Sequence, residues 1–125
     1  MKQRYIRPSG ELSDDTVVVV RGGELRRELL AEDARRAHAV YGVFAISVFA
    51  ADGVTVDELV QASPLVRFES LTLMSVRSIR AAGLVLVPSG RNPRHHSIEM
   101  SDLDEGLDRL IRCDHRTVVN PYHES

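Results

Sequence analysis

LVLVPSGRNPRHHSIEM, residues 84–100, sets two strand-like apolar runs on either side of a polar turn that carries Arg91, Arg94, His95 and His96. Aliphatic residues flanking a Pro- and Gly-containing connection predict a β-hairpin with a basic tip. The connection, residues 88–94, is longer than a tight two-residue turn, so a mobile tip is expected. Residues 16–21, with four consecutive valines, make the second anchor of the fold. Their stiff branched side chains favour a pleated strand, and the lack of polar alternation predicts burial on both faces.

Outward from these two anchors the chain alternates strands and helices. Gly22-Gly23 ends the valine strand, and residues 24–40 carry Leu25, Leu29, Ala37 and Val40 at helical spacing. Gly42 suits a left-handed cap, and residues 43–50 read as a second central strand whose small Ala45 and Ser47 allow close approach. Thr55 and Glu58 form a capping-box pattern for a short helix reaching about Ala62, stopped by Ser63-Pro64. Residues 70–76 suit a strand better than the alternative, one helix through 65–76, with Ser75 capping a helix over 77–82. Ser101 is the expected cap of a last helix, on which Leu103, Leu107, Leu110 and Ile111 share one face. Tyr5-Ile6-Arg7 and Val118-Val119 suit edge strands, while segments 1–15 and 116–125 are expected to be flexible. The pattern predicts one α/β domain over residues 1–125, a mixed sheet with flanking helices and a C-terminal hairpin plus helix.

Composition bounds the function. A chain of 125 residues with 43% hydrophobic side chains can bury a core without disulfide or metal staples. The single Cys113 points to no disulfide framework, and no apolar run approaches bilayer-spanning length, so a cytoplasmic setting without membrane contact is expected. A formal charge of -2 excludes nucleic-acid coating by bulk positive charge. The distribution is less even: residues 70–98 contain no Asp or Glu but include Arg77, Arg80, Arg91 and Arg94. These four arginines are the expected substrate-binding groups for RNA or another phosphate ligand.

Beside them, His95 and His96 are the expected catalytic pair. Metal-free RNA cleavage needs a base for the 2′-hydroxyl proton, an acid for the leaving oxygen and a cation for the developing negative charge. In a strand the two histidines point to opposite faces, so one at most serves a given site. Residues 79–98, with Arg80-Ala81-Ala82-Gly83, the following apolar strand, Ser89-Gly90 and His95, resemble the segment around the catalytic histidine of HicA-type toxins. That resemblance implies RNA cleavage and an antitoxin as protein partner. In that family the histidine follows the glycine almost directly, whereas here Arg91-Asn92-Pro93-Arg94 intervene.

Two further constellations stand earlier in the chain. Arg21-Gly22-Gly23, at a strand-to-helix junction, offers a guanidinium and backbone N–H groups to an anion, although it lacks the full spacing of a nucleotide-binding glycine motif. Arg21, Ser47 and Glu69, in that order, resemble the Arg-Ser-Glu arrangement of one class of ADP-ribosyltransferases. The resemblance implies that NAD is bound with help from the arginine and serine and that the glutamate directs transfer. Ser47 lacks that class's Ser-Thr-Ser context, and Arg67 stands where a second acid or glutamine is usual. No histidine pair has the spacing that would bind a metal from one helix face, so no metal is expected. Three readings follow: an RNA- or phosphate-binding toxin-like ribonuclease without cofactor, an NAD-using ADP-ribosyltransferase-like toxin, and a non-catalytic protein-interaction module. Oligomeric state is left open.

Overall fold

The computed structural model describes residues 2–61 and 64–124. The four valines fall in β1 (Val17–Gly22), which lies between two other strands and is buried on both sides as their uniform apolarity predicts. Helix α1 (Arg27–Tyr41) ends at Gly42, whose φ of 79° is the left-handed conformation expected there, and Gly42 N–H donates to His38 O. The helix starts three residues later than its apolar spacing suggests. Gly23 N–H donates to Ser70 O and Gly23 O accepts from Thr72 Oγ1, so the backbone there is committed to the neighbouring strand.

β2 (Phe44–Phe49) precedes α2 (Val56–Val60), where Thr55 Oγ1 accepts from Glu58 N–H at 3.1 Å as the capping pattern predicts. The end of this helix expected at Ala62 and Ser63 lies outside the described residues. A 3₁₀ turn (Leu65–Arg67) leads into β3 (Ser70–Ser75), and Ser75 Oγ accepts from Ser78 N–H to start α3 (Val76–Ala81). β4 (Val85–Pro88) and β5 (His95–Met100) form the hairpin. α4 (Leu103–Arg112) is capped by Asp102 rather than Ser101: its carboxylate accepts from Glu105 N–H at 2.8 Å and also places negative charge at the helix N-terminus. β6 (Arg116–Val119) completes the sheet.

The α/β class, the single sheet and the flanking helices are as expected. The six strands lie in the order β4-β5-β2-β1-β3-β6. Every pair is antiparallel, where the alternation of strands and helices had suggested a mixed sheet. Period and composition report a strand but not the direction of its neighbour, which is set by how each connection crosses the sheet.

On one side α1, α3 and α4 enclose the main core, with Leu30, Ile46, Val48, Ile79, Ile98 and Leu107 at its centre. On the other side a smaller cluster forms from Val19, Leu71 and Leu73 with Leu59, Val60 and Leu65. This second layer covers the β1, β3 and β6 half of the sheet. Over β2 and β5 the second face carries the small or polar residues Ala45, Ser47, Ser97 and Glu99, and that is where the candidate site lies.

Both terminal segments of the described residues are tied down. Ile6 bridges Ser89 at the β4 edge, Arg7 N–H donates to Pro88 O, and Leu12 is buried. In the tail, buried Asn120 donates to the carbonyls of Leu65 and Phe68, and Glu124 N–H donates to Val66 O.

Candidate functional site

Two departures from a regular sheet open the site. β1 carries a bulge: Val19 faces Leu73 and Arg21 faces Thr72, so Val20 is an extra residue that twists the strand locally. β1 and β2 meet at one registered pair, Val19 and Phe49. Beyond that pair the two strands splay, leaving a cleft of about 460 Å³ lined by Arg21 and Gly22 from β1, Ser47 and Phe49 from β2, Asp33 from α1 and Phe68.

The Arg21 guanidinium is largely enclosed here. Its Nε donates to Gly22 O at 3.0 Å, and its Nη1 lies 3.6 Å from Asp33 Oδ2, inside Coulombic range but too far for a hydrogen bond. Nη1 is buried without a hydrogen-bond partner. A buried donor left so costs about 1–3 kcal/mol, more when charged, and such an atom is an invitation to an anion. Gly22 is needed for contact rather than for unusual dihedrals: the Phe68 ring lies where a Cβ would stand.

A second cleft of about 340 Å³ adjoins the first and shares Ala37, Tyr41, Ala45 and Ser47 with it. Its far wall is the hairpin. Antiparallel register puts Ser97 opposite Ser47, His95 opposite Phe49 and Glu99 opposite Ala45, so these side chains share the face away from the main core, where Ser47 is exposed and Ser97 buried. The N-terminal arm closes the cleft with Arg4 and Tyr5. Arg4 Nη2 donates to Glu99 Oε2 at 2.6 Å, and Arg4 Nη1 is the other buried side-chain donor without a partner among the described residues. Both orphaned guanidinium nitrogens of the described structure therefore belong to this pair of clefts.

His95 is oriented by Ser89, the residue after β4. Its Nδ1 lies 2.8 Å from Ser89 O and 3.1 Å from Ser89 Oγ, and Ser89 Oγ is 2.6 Å from Ser97 Oγ. A carbonyl only accepts, so the ring carries its proton on Nδ1 and leaves the Nε2 lone pair bare. Burial holds the imidazole below its ordinary pKa of 6.5, opposed by the hydrogen bond to Ser89 O and reinforced by the charges of His96, Arg7 and Arg4. His95 is thus a neutral base at neutral pH. The same tautomer removes Nδ1 as a proton acceptor for Ser89, so Ser89 is not an activated nucleophile.

The hairpin tip is gathered rather than left free. One guanidinium, that of Arg7, donates to five carbonyls, those of Ser89, Gly90, Asn92, Pro93 and His95, at 2.7–3.1 Å. The long connection that suggested mobility is the one that wraps a cation from the N-terminal arm.

The structure brings some sequence-predicted residues together and separates others. Arg21 and Ser47 line one cleft; Glu69 is exposed, and the residues lining that cleft do not include it. His95 lines the second cleft, whereas His96 is buried on the opposite face, with Nε2 3.0 Å from Gly10 O and Nδ1 3.2 Å from Arg94 O. The period-two argument that divides the histidines holds in β5. Arg91 lines the second cleft at the tip, with its guanidinium carbon 5.5 Å from the Tyr5 ring centre, whereas Arg94 is half-buried in the turn before β5 and is not among the residues lining either cleft. Arg77 and Arg80 are on α3, ion-paired with Asp15 and Asp14. Residues 70–98 are free of acids in sequence, yet the preceding loop supplies acids in space. At Arg21-Gly22-Gly23, the Gly23 N–H is spent on Ser70 O and the helix begins only at Arg27, so that motif is a strand end and not a helix N-terminus.

Sequence reasoning missed Arg4, Ser97 and Glu99. The signal for the last two was present: His95, Ser97 and Glu99 alternate with Ile98 and Met100, and a strand with polar residues at every second position shows one face outside the core. Arg4 carried no local signal. Compared with protein-family models, curated proteins and solved structures, the chain matches none. No helix among the described residues is long and apolar enough to cross a membrane.

Proposed function

We propose that this chain is an ADP-ribosyltransferase-like enzyme that binds NAD in the cleft between β1 and β2. The observation that carries the reading is the meeting of Arg21 and Ser47 across a cleft of about 460 Å³, with a buried Arg21 nitrogen that makes no hydrogen bond and has only Asp33, at 3.6 Å, as a charge partner. Such a volume falls within the roughly 300–1,000 Å³ of small-molecule sites. A guanidinium matches the pyrophosphate of a dinucleotide, and Phe49 and Phe68 supply apolar walls for flat rings.

The carboxylate we propose for this chemistry, in place of Glu69, is Glu99, which lines neither cleft itself but is held against the second through Arg4. In ribosyl transfer the bond from ribose C1′ to nicotinamide breaks, and positive charge spreads over C1′ and the ring oxygen. A carboxylate beside that charge stabilises it, as in glycoside hydrolysis. Glu99 sits on the strand next to β2, one step along the same face from the Ser47–Ser97 pair. Arg4 holds it in place.

The test is NAD binding and nicotinamide release by the purified chain. Arg21→Ala is expected to weaken NAD binding by about 10- to 100-fold, the loss of one charge-assisted contact. Glu99→Gln is expected to retain binding and lose about 100-fold or more in turnover. NAD affinity that is unchanged by Arg21→Ala sinks the reading.

A second reading, toxin-like RNA cleavage, is favoured by one observation: His95 offers a neutral, bare Nε2 beside Arg4 and Arg91. It uses neither His96 nor the paired Arg77 and Arg80. RNA fragmentation without NAD, lost in His95→Gln, supports it. Failure of both assays leaves an interaction module.

A further inference from the structure

The cleft around His95 has a chemistry distinct from that of the Arg21 cleft, and the two open onto each other at Ser47. A donor held between β1 and β2 therefore presents its reacting carbon at a boundary that a second molecule can approach from the hairpin side. That side is cationic. The described residues that line it include Arg4 and Arg91 but no Asp or Glu, and Arg91 makes no ion pair among the described residues. Such a surface disfavours an arginine or lysine acceptor and favours an anionic one. Tyr5, 52% exposed, lies beside the Arg91 guanidinium, which combines an aromatic platform with a phosphate-binding cation. Arg7 fixes the tip that carries Arg91, so these groups are held ready rather than gathered on binding.

We propose that the His95 cleft is the acceptor site of the transfer reaction and that the acceptor is a nucleic-acid strand. Arg91 holds its phosphates, Tyr5 stacks a base, and His95 Nε2 takes the proton of the attacking group. The inference rests on the NAD reading above. In the step, a hydroxyl or base N–H of the strand attacks ribose C1′ as the C1′–nicotinamide bond breaks. The bond's electron pair leaves with nicotinamide, which departs neutral, and the acceptor proton passes to His95. The products are the ADP-ribosylated strand, nicotinamide and one proton, so no further reactant is required. His95 is suited to the step because it is uncharged before the reaction and because its Nδ1–H is already anchored to Ser89 O.

The full chain is incubated with NAD labelled in its adenylate, together with mixed-sequence RNA, mixed-sequence single-stranded DNA or a carrier protein, and both nicotinamide release and label on each acceptor are followed. Label is expected on a nucleic acid, reduced about 100-fold in His95→Gln. Arg91→Glu, an exposed change that leaves the core untouched, is expected to raise the KM for the strand about tenfold at low salt, with less effect at high salt. Thermal unfolding of each variant confirms that it folds. Nicotinamide release with label only in free ADP-ribose or on the carrier protein overturns the acceptor assignment and leaves the NAD reading standing. Strand labelling that His95→Gln does not alter overturns the role of His95. Absence of nicotinamide release with every acceptor removes the NAD reading, and this inference with it.

Discussion

The two halves of the sheet solve different problems with the same kind of strand. Around β1 and β3 both faces are packed: Val18 and Val20 meet the helical layer while Val19, Leu71 and Leu73 meet α2 and the 3₁₀ turn. Around β2 and β5 one face is packed as tightly, through Ile46, Val48 and Ile98, and the other shows Ser47, Ser97, His95 and Glu99. The first half resists change because every side chain has neighbours. The second keeps half of its side chains out of the core, which frees them for chemistry on a rigid support.

Adjacent residues of one strand should reveal this contrast most strongly. Ile46→Ala removes a buried branched side chain from the main core and is expected to cost about 3 kcal/mol in unfolding by denaturant. Ser47→Ala, one residue on and exposed, is expected to stay within about 0.5 kcal/mol while reducing NAD binding. Equal losses at the two positions would mean that the second face is packed after all.

A smaller effect is expected at the rim. Arg7→Ala removes the cation from five carbonyls and is expected to cost about 2 kcal/mol, with hydrogen exchange in residues 89–95 rising more than in β1. Uniform acceleration through both halves of the sheet would show that the clamp supports the whole domain and not the tip alone.

The smallest is a pH dependence. His95 has a pKa below 6.5 when folded, so the unfolded chain takes up its proton first as pH falls. The contribution of the neutral ring is fully present above pH 6.5 and is lost progressively below it, until the folded pKa is reached. The decline of Tm below pH 6.5 is expected to be shallower in His95→Gln than in the wild type. Identical slopes would place the acid sensitivity elsewhere.

Much of the element order was legible because it depends on neighbours in sequence. The four valines, the Thr55 and Ser75 caps, the Gly42 terminus and the leucine face of α4 all act within a few residues of themselves. The site was legible in part. Arg21, Ser47 and His95 were singled out by type and position, and His96 was separated from His95 by the two-residue period of a strand. Arg77 and Arg80 misled because charge counted along the chain ignores Asp14 and Asp15, which arrive from a distant loop.

The sequence by itself determined which segments are strands and helices and which faces are apolar, since backbone preference and periodicity are local properties. Only the tertiary structure decided that the strands run antiparallel, that β1 and β2 splay beyond Val19 and Phe49, and that Arg4 reaches Glu99. Those features join residues far apart in the chain, and they are set by the packing of whole layers against one another, for which no short window of sequence carries a signal.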